Sequence, residues 1–478
     1  MKRKDVQHLN LNSTSFNTAS TPSVSTTIEG MVIQQKYEKE DIEALDAVDF
    51  AAGFAPYVRG ISPLMYVQQP WEIQLLPATN QLEAGNISYR KQIALGQKHL
   101  LFDLSPSTSA GGFSIHTVED VKILIDQLPL AEITATIRTN EALLPLLAMY
   151  IVAAQEQGID TKFLRGNLQY DAFDFAPNTI TPLHKAILDS LDYTYQHMPH
   201  FKVLSLSNHH LKKKKLSADQ EIAYSLAQGL TYIKSGVSEK IPIDYIASQV
   251  TFSWYTGVNY FMEIAKMRAT RWLWSRLVHS FHPKSEQSLA LTIQTQTERW
   301  GADTKDDLTR VTTASTTAVF GGTQALAIAF DHTAYGEHTA LQLHQFMQEE
   351  MKATKTVDPW AGSYYVEHTT LALAEKAWNI LEEICPTDDL VAISLQKEHE
   401  TQQQQNGDTT AFFPDTMQKE RQAVIKVERD TQKVEWALTQ LTQGVSNPTH
   451  NLLALAIEAV KVRATTEEIQ RALFSNPS

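Results

Sequence analysis

Cysteine is almost absent from this sequence, because Cys385 is the only one in 478 residues. A disulfide framework within the chain is therefore excluded, and we expect a reducing, cytoplasmic location. No apolar run is long enough to suggest a membrane span, and no apolar core of a signal peptide follows the first basic residues. The 41 basic and 54 acidic residues give a formal charge of −13, which disfavours nucleic acid or an anionic membrane as the main partner.

Many catalytic signatures are also missing. No two of the 19 glycines are two positions apart, so the dinucleotide-binding pattern G-x-G-x-x-G does not occur. The phosphate-binding G-K-[ST], the serine hydrolase G-x-S-x-G and the zinc motifs H-E-x-x-H and C-x-x-C are absent too. These absences disfavour dinucleotide-dependent, P-loop, serine hydrolase and zinc enzymes, and we expect no metal site.

Strand-like and helix-like segments alternate from about residue 99 onward. HLLFDLS precedes TVEDVKILIDQL, FKVLSLS precedes SADQEIAYSLAQGLTYIKSG, and TQALAIAF precedes HTALQLHQFMQEEMKA. Such alternation is typical of a parallel sheet covered by helices, and close to eight units predict a TIM (β/α)8 barrel. The eighth strand, expected before TLALAEKAWNILEEI, is poorly marked. An open doubly wound sheet is the alternative, although its glycine-rich turn is absent.

The segments outside the barrel differ from it in composition. Residues 1–28 are rich in Ser, Thr and Asn and are predicted to be disordered, with a transit peptide as the weaker alternative. Residues 29–90 form an extended N-terminal segment, and residues 91–390 form the barrel. Residues 391–478 comprise a polar linker and a helical C-terminal region, in which we predict two or three helices between about 417 and 474.

Two local clusters follow the fourth predicted strand. His209 and His210 lie at its carboxyl end, where the active sites of barrel enzymes form. They provide either one catalytic or ligand-facing imidazole or two ordinary loop histidines. The lysines from Lys212 to Lys215 form either a phosphate-binding loop for a group such as coenzyme A or a solvated loop. The solvated loop is favoured, because runs of charge are usually exposed.

Five segments together have a specific character. FAPYVRG, PLMYVQQPW, GVNYFMEIAKMRATRWLWSRLV, VFGGTQAL and DPWAGSYYVE resemble the methylmalonyl-CoA mutase family, in the family's order, and the resemblance runs from about Glu29 to about Phe474. It implies a TIM barrel that binds a coenzyme A thioester. In that family adenosylcobalamin supplies the radical for the isomerisation of methylmalonyl-CoA and succinyl-CoA, and the protein supplies orientation and a sealed cavity.

The cobalamin motif of the family has no counterpart in this sequence. The family holds cobalamin in a C-terminal flavodoxin-like domain, through the histidine of D-x-H-x-x-G. No histidine of this sequence has an aspartate two residues before it, and DHTAYG at residues 331–336 has the wrong spacing. We therefore expect no flavodoxin-like domain, and no cobalamin or other cofactor bound by this chain.

The resemblance also identifies two groups of pocket positions. It implies that Gln169, His210 and Gln296 keep pocket residues, and His210 matches a histidine that contacts the substrate thioester carbonyl. The positions at which family pocket residues are replaced are Ser62, Gln69, Glu72, Gln74, Leu76, Ala325, Ala327 and Ala329. Because substrate carboxylates and phosphates favour the arginines that are lost, we expect none of these residues to be catalytic.

These departures lead to an expectation about function. The resemblance implies a small, non-catalytic subunit of a heterodimeric methylmalonyl-CoA mutase, in which the N-terminal segment contacts a large catalytic subunit that carries adenosylcobalamin. Such a subunit would stabilise its partner by mass action. The alternative is the catalytic, substrate-binding half of a split acyl-CoA mutase whose cobalamin domain is on a separate chain. A third reading, a coenzyme A-binding regulatory module, depends on the lysine run alone.

Overall fold

Eight parallel strands form a curled sheet of the (β/α)8 barrel type. The computed structural model describes residues 25–34, 36–43, 49–105, 112–139, 142–170, 180–207, 216–298, 305–330, 334–384 and 416–474. The barrel strands are β1 Glu72–Gln74, β2 His99–Ser105, β3 Thr134–Arg138, β4 Arg165–Tyr170, β5 Phe201–Ser207, β6 Val250–Thr256, β7 Thr292–Thr297 and β8 Ala325–Ala327. The predicted TIM barrel class is confirmed.

Hydrogen bonds place the strands in the order β1-β8-β7-β6-β5-β4-β3-β2, and every pair is parallel. The short strand Phe113–Ser114 continues the sheet beside β2. β1 and β2 stand at the two ends of this order, and they meet through side chains, because Glu72 Oε1 lies 2.8 Å from His99 Nε2. In the part of the chain that the structure describes, the one other sheet is the hairpin of Ser25–Thr26 and Val32–Ile33.

The eighth barrel strand does not lie where the sequence pattern places it. We expected it before the helix Tyr364–Ile384, whereas the missing strand is β1, which pairs with β8. β1 directly follows the segment PLMYVQQPW, and it lies outside the predicted barrel range 91–390. A strand of three residues shows no alternation, so only the closure of the sheet defines it.

Helices cover the outside of the sheet. Their bounds are Met65–Gln68, Leu82–Ala94, Val118–Ile125, Leu143–Glu156, Ile180–His197, Ala218–Ser238, Ile243–Gln249, Tyr260–His279, Lys305–Phe320, Ala334–Gln345 and Tyr364–Ile384. The helix Ala218–Ser238 begins with a capping box, in which Ser217 and Gln220 each accept a backbone hydrogen bond. None of the helices in the described ranges has the length and apolar character needed to cross a membrane.

Between residues 416 and 474, which the structure describes, the C-terminal region packs against the barrel as four helices instead of the predicted two or three. They are Thr416–Glu428, Thr431–Ser446, Leu452–Lys461 and Thr466–Phe474. The helical segment from Thr416 to Ser446 is divided into two helices, because the Asp430 side chain accepts from the Lys433 backbone N–H and starts a new helix. Thr466 donates its backbone N–H to the His116 carbonyl at 2.9 Å, which ties the last helix to the barrel.

A buried ion network joins three of the segments that carry the family resemblance. Arg268, in the helix Tyr260–His279, is only 2% exposed and donates to both carboxylate oxygens of Glu367 at 2.8 Å. It also donates to Asp358. Arg59 lies 3.7 Å from Glu367 and 3.8 Å from Asp358. The charged residues of FAPYVRG and DPWAGSYYVE therefore have a structural role, because they hold these segments against the helix Tyr260–His279.

Candidate functional site

The interior of the barrel is polar. Side chains of adjacent strands that share one face contact each other or line a common cavity. Most of these inward positions are polar or small: Glu72, Gln74, Asp103, Thr134, Thr136, Arg138, Asn167, Gln169, Ser205, Thr251, Ser253, Thr292, Gln294, Gln296, Ala325 and Ala327. Leu101 and Tyr255, in register with Thr136 and Gln296, share this face. An ordinary TIM barrel fills this space with branched apolar side chains. Hydroxyls, amides and alanines at these positions indicate a lumen that holds a polar ligand.

A cavity of about 710 Å³ enters this lumen from the amino ends of the strands. Its inner walls are formed by Thr134, Asn167, Lys202, Thr251, Thr292 and Gln294. Because barrel active sites form at the carboxyl ends, the sequence interpretation did not consider these residues. The signal was nevertheless present: polar residues occupy alternate positions of strands such as TATIR, on the face opposite the apolar one.

Several polar atoms around this cavity have no protein partner. Asn167 Oδ1, Thr251 Oγ1 and Gln294 Oε1 are buried without a hydrogen bond to any described residue, as is Ser205 Oγ on the neighbouring strand. A buried polar group that stays unpaired costs about 1–3 kcal/mol. Four such atoms on the four consecutive strands β4 to β7 indicate that a polar ligand or ordered water pairs with them.

Positively charged side chains lie where the cavity wall meets its mouth. Lys202 Nζ lies 3.4 Å from Thr292 Oγ1, and Arg165 is exposed at the rim. Burial lowers the pKa of Lys202 to about 8, against the opposing effect of the Glu72 carboxylate. Lys202 is therefore mostly protonated at neutral pH, and it can attract an anionic group of a ligand.

A second charged group lies deeper in the lumen. Arg138, at the carboxyl end of β3, donates to Gln296 on β7 and to Asp103 on β2. Burial lowers the pKa of Arg138, but the Asp103 carboxylate more than offsets this effect and the pKa lies above its ordinary value. The guanidinium is thus a permanent cation between two walls of the barrel.

The predicted pocket residues Gln169 and Gln296 lie together in this lumen. Gln169 donates to Ser253 Oγ at 2.6 Å, and Gln296 accepts from Arg138. The third predicted residue, His210, lies outside the described residues, as do His209 and the lysines from 212 to 215. The assignment of a pocket role to these residues stays a prediction.

The positions at which family pocket residues are replaced do not form one cluster. Gln69 and Glu72 line the amino-end cavity, whereas Gln74 donates to Thr136 Oγ1 at 3.0 Å deeper inside. Ser62 accepts from the Met65 backbone N–H at 3.1 Å and also lines the cavity. The remaining four are Leu76, which is half-buried just after β1, and Ala325, Ala327 and Ala329, which are buried in and after β8.

The fold and the cavity define an α/β barrel of the TIM class with a cavity at the amino ends of its strands. The methylmalonyl-CoA mutase family model matches residues 26–392 and 389–476. The chain belongs to the methylmalonyl-CoA mutase family.

Relatives of known name agree with this family. The methylmalonyl-CoA mutase large subunit of Streptomyces virginiae is 33% identical over 94% of this chain and 70% of its own length. The large subunit of Porphyromonas gingivalis is 33% identical over 93% of this chain and 71% of its own length. The methylmalonyl-CoA mutase of Escherichia coli is 32% identical over 94% and 71%, respectively.

These relatives overturn two expectations. The interpretation as a small auxiliary subunit is wrong, because the similar proteins are named large subunits and the chain spans about 70% of them. A large-subunit partner is accordingly not supported. The expectation that this chain binds no cofactor is also contradicted, because the family to which most of the chain aligns binds adenosylcobalamin. The first error came from treating a changed pocket pattern as a lost function, and the second from treating the absence of D-x-H-x-x-G as the absence of a cofactor.

Proposed function

We propose that this chain is the acyl-CoA-binding, catalytic barrel of an adenosylcobalamin-dependent mutase that interconverts methylmalonyl-CoA and succinyl-CoA. The cavity of about 710 Å³ at the amino ends of the barrel strands, with hydroxyl and amide side chains in its walls, is the observation that supports this function most directly. A core of hydroxyl and amide side chains weakens barrel packing unless a ligand pairs with them.

The chemistry of the cavity matches a coenzyme A thioester. The pantetheine arm of coenzyme A is long, narrow and interrupted by two amide groups, and phosphates lie at its other end. Asn167 Oδ1 and Gln294 Oε1 can accept from the amide N–H groups of the arm. Lys202 and Arg165 at the mouth can contact phosphates, which leaves the acyl group in the deeper half of the lumen.

Adenosylcobalamin would supply the organic radical for the rearrangement. The residues named above are assigned to the acyl-CoA: they bind it, orient it and exclude water from it.

Isothermal titration of the full chain with succinyl-CoA tests the binding site. Loss of a charge-assisted contact in Lys202→Met should weaken binding about 10- to 100-fold, from roughly 1.5–3 kcal/mol. Lys461→Met removes an exposed lysine of the C-terminal region that pairs with Glu458 and serves as the matched control. Absence of binding to any coenzyme A thioester, or an equal effect of the two variants, contradicts the proposed site.

Catalysis needs a separate measurement. The full chain is incubated with adenosylcobalamin and succinyl-CoA, and methylmalonyl-CoA is quantified by chromatography. Formation of methylmalonyl-CoA that is weakened by Lys202→Met supports the proposed function. A chain that binds succinyl-CoA without isomerising it contradicts the catalytic part of the proposal.

A further inference from the structure

Arg138 spans the barrel from one wall to the opposite wall. It belongs to β3, and its acceptor Gln296 belongs to β7. In the order β1-β8-β7-β6-β5-β4-β3-β2, three strands separate β3 from β7 in one direction. Three strands also separate them in the other direction, once the contact between Glu72 and His99 joins β1 to β2. The hydrogen bond between these side chains therefore crosses the barrel axis.

This crossing side chain is held firmly in place. Asp103, on the strand adjacent to β3, accepts a second hydrogen bond from the guanidinium. The side chain of Arg138 is 9% exposed and that of Asp103 is 23% exposed. Charge-assisted hydrogen bonds of this kind are stronger than neutral ones, and a fork of two bonds fixes the orientation of the guanidinium.

Between the amino-end cavity and Arg138, long polar side chains line both halves of the lumen. Gln74 and Asn167 both donate to Thr136, at 3.0 and 3.2 Å, on the side formed by β1 to β4. On the side formed by β5 to β8, Ser253 and Ala325 are small, whereas their common register partner Gln294 is long. The Oε1 of Gln294 is buried without a hydrogen bond to any described residue. A narrow chain that enters at the amino ends and passes Gln294 meets the crossing arginine.

We propose that Arg138 is a specificity-determining residue that limits the length of the acyl group. The inference rests on the proposed function, in which a coenzyme A thioester enters from the amino ends. Arg138 lies four residues beyond Thr134 on β3, or about 13 Å along the strand. The pantetheine arm fills this path first, so each further carbon of the acyl group extends toward the guanidinium and a long acyl group meets it.

A titration series tests the acyl-length limit. The full chain and Arg138→Ala are titrated with free coenzyme A and with acetyl-, butyryl-, hexanoyl- and octanoyl-CoA. The unmodified chain should bind octanoyl-CoA at least about tenfold more weakly than acetyl-CoA, a discrimination typical of steric limits in pockets. Arg138→Ala should bind both within about threefold, because the path across the axis is open.

Two further variants make the test specific. Gln296→Ala shortens the opposite wall without leaving Asp103 unpaired, so it should shift the length limit in the same direction even if Arg138→Ala folds poorly. Gln196→Ala is the matched control, because Gln196 is exposed on the helix Ile180–His197 and donates to Asp192 outside the lumen. The control should leave the length profile unchanged.

The outcomes separate the two proposals. If the unmodified chain binds acetyl-CoA but its length profile persists in both Arg138→Ala and Gln296→Ala, the role of Arg138 is refuted and the acyl-CoA site stands. Equal affinity of the unmodified chain for all lengths also refutes it. If neither coenzyme A nor any thioester binds, the proposed function itself is wrong.

Discussion

The stability of this protein should fall in acid because of one buried histidine. His344 is fully buried, and its Nδ1 accepts a hydrogen bond from Trp71 Nε1 at 3.0 Å. Trp71 also lines the amino-end cavity and directly precedes β1. Burial lowers the pKa of His344 to about 3. Protonation would place an N–H on Nδ1 against the indole N–H, so the native state excludes the charged form.

The magnitude follows from linkage between protonation and folding. An unfolded histidine has a pKa of about 6.5, so the unfolded state binds a proton that native His344 does not. The contribution of His344 to stability is complete above pH 6.5 and is lost as the pH falls toward 3. At pH 4.5 the loss is about 2.7 kcal/mol, and at pH 5.5 it is about 1.4 kcal/mol.

Urea unfolding followed by tryptophan fluorescence measures this loss. His344→Gln retains an acceptor for the Trp71 indole but does not titrate, so its free energy of unfolding should change less between pH 7.5 and 4.5 than that of the unmodified chain. The difference should be about 2.7 kcal/mol. His282→Gln, at an exposed histidine, is the control and should follow the unmodified chain. Equal pH dependence in His344→Gln and the unmodified chain would refute the reasoning.

Three other changes have outcomes that the structure specifies. Replacing Arg268 by Met removes the guanidinium that donates to both carboxylate oxygens of the buried Glu367. This change should lower the free energy of unfolding by about 3–5 kcal/mol in urea titrations. Gly166→Ala should cost more stability than Gly158→Ala in the same assay, because its Cβ would lie 1.9 Å from a backbone oxygen, whereas the space around Gly158 is open. Succinyl-CoA affinity should decrease as the pH rises through about 8, where Lys202 loses its charge, and calorimetry should find this dependence absent in Lys202→Met.

Much of the barrel could be predicted from the sequence, because strands and helices impose different spacings on apolar residues. Seven of the eight barrel strands lie in the segments that alternation identified, from HLLFDLS to TQALAIAF. β1 could not be found in this way, since Glu72–Gln74 is too short to show a period. The four C-terminal helices were recognised as helical, although the break at Asp430 was missed.

The candidate site was harder to predict than the fold. Gln169 and Gln296 were singled out, and both lie in the lumen. Lys202, Arg138 and Asn167 were missed, because none of them belongs to a recognisable motif and the sequence does not show which face of each strand lines the lumen. Comparison with a family pattern directed attention to lost residues, and the loss of a pattern is not evidence that a polar cavity is absent.

The sequence by itself determined which segments are strands, which are helices, and which family the chain resembles, because these depend on local spacing and on the order of motifs. Only the tertiary structure decided that β1 closes the sheet beside β8, that the lumen opens at the amino ends, and that Arg138 reaches Gln296 across the axis. The physical reason is sequence separation: these side chains lie on strands far apart in the chain, and their contact exists only once the barrel has closed.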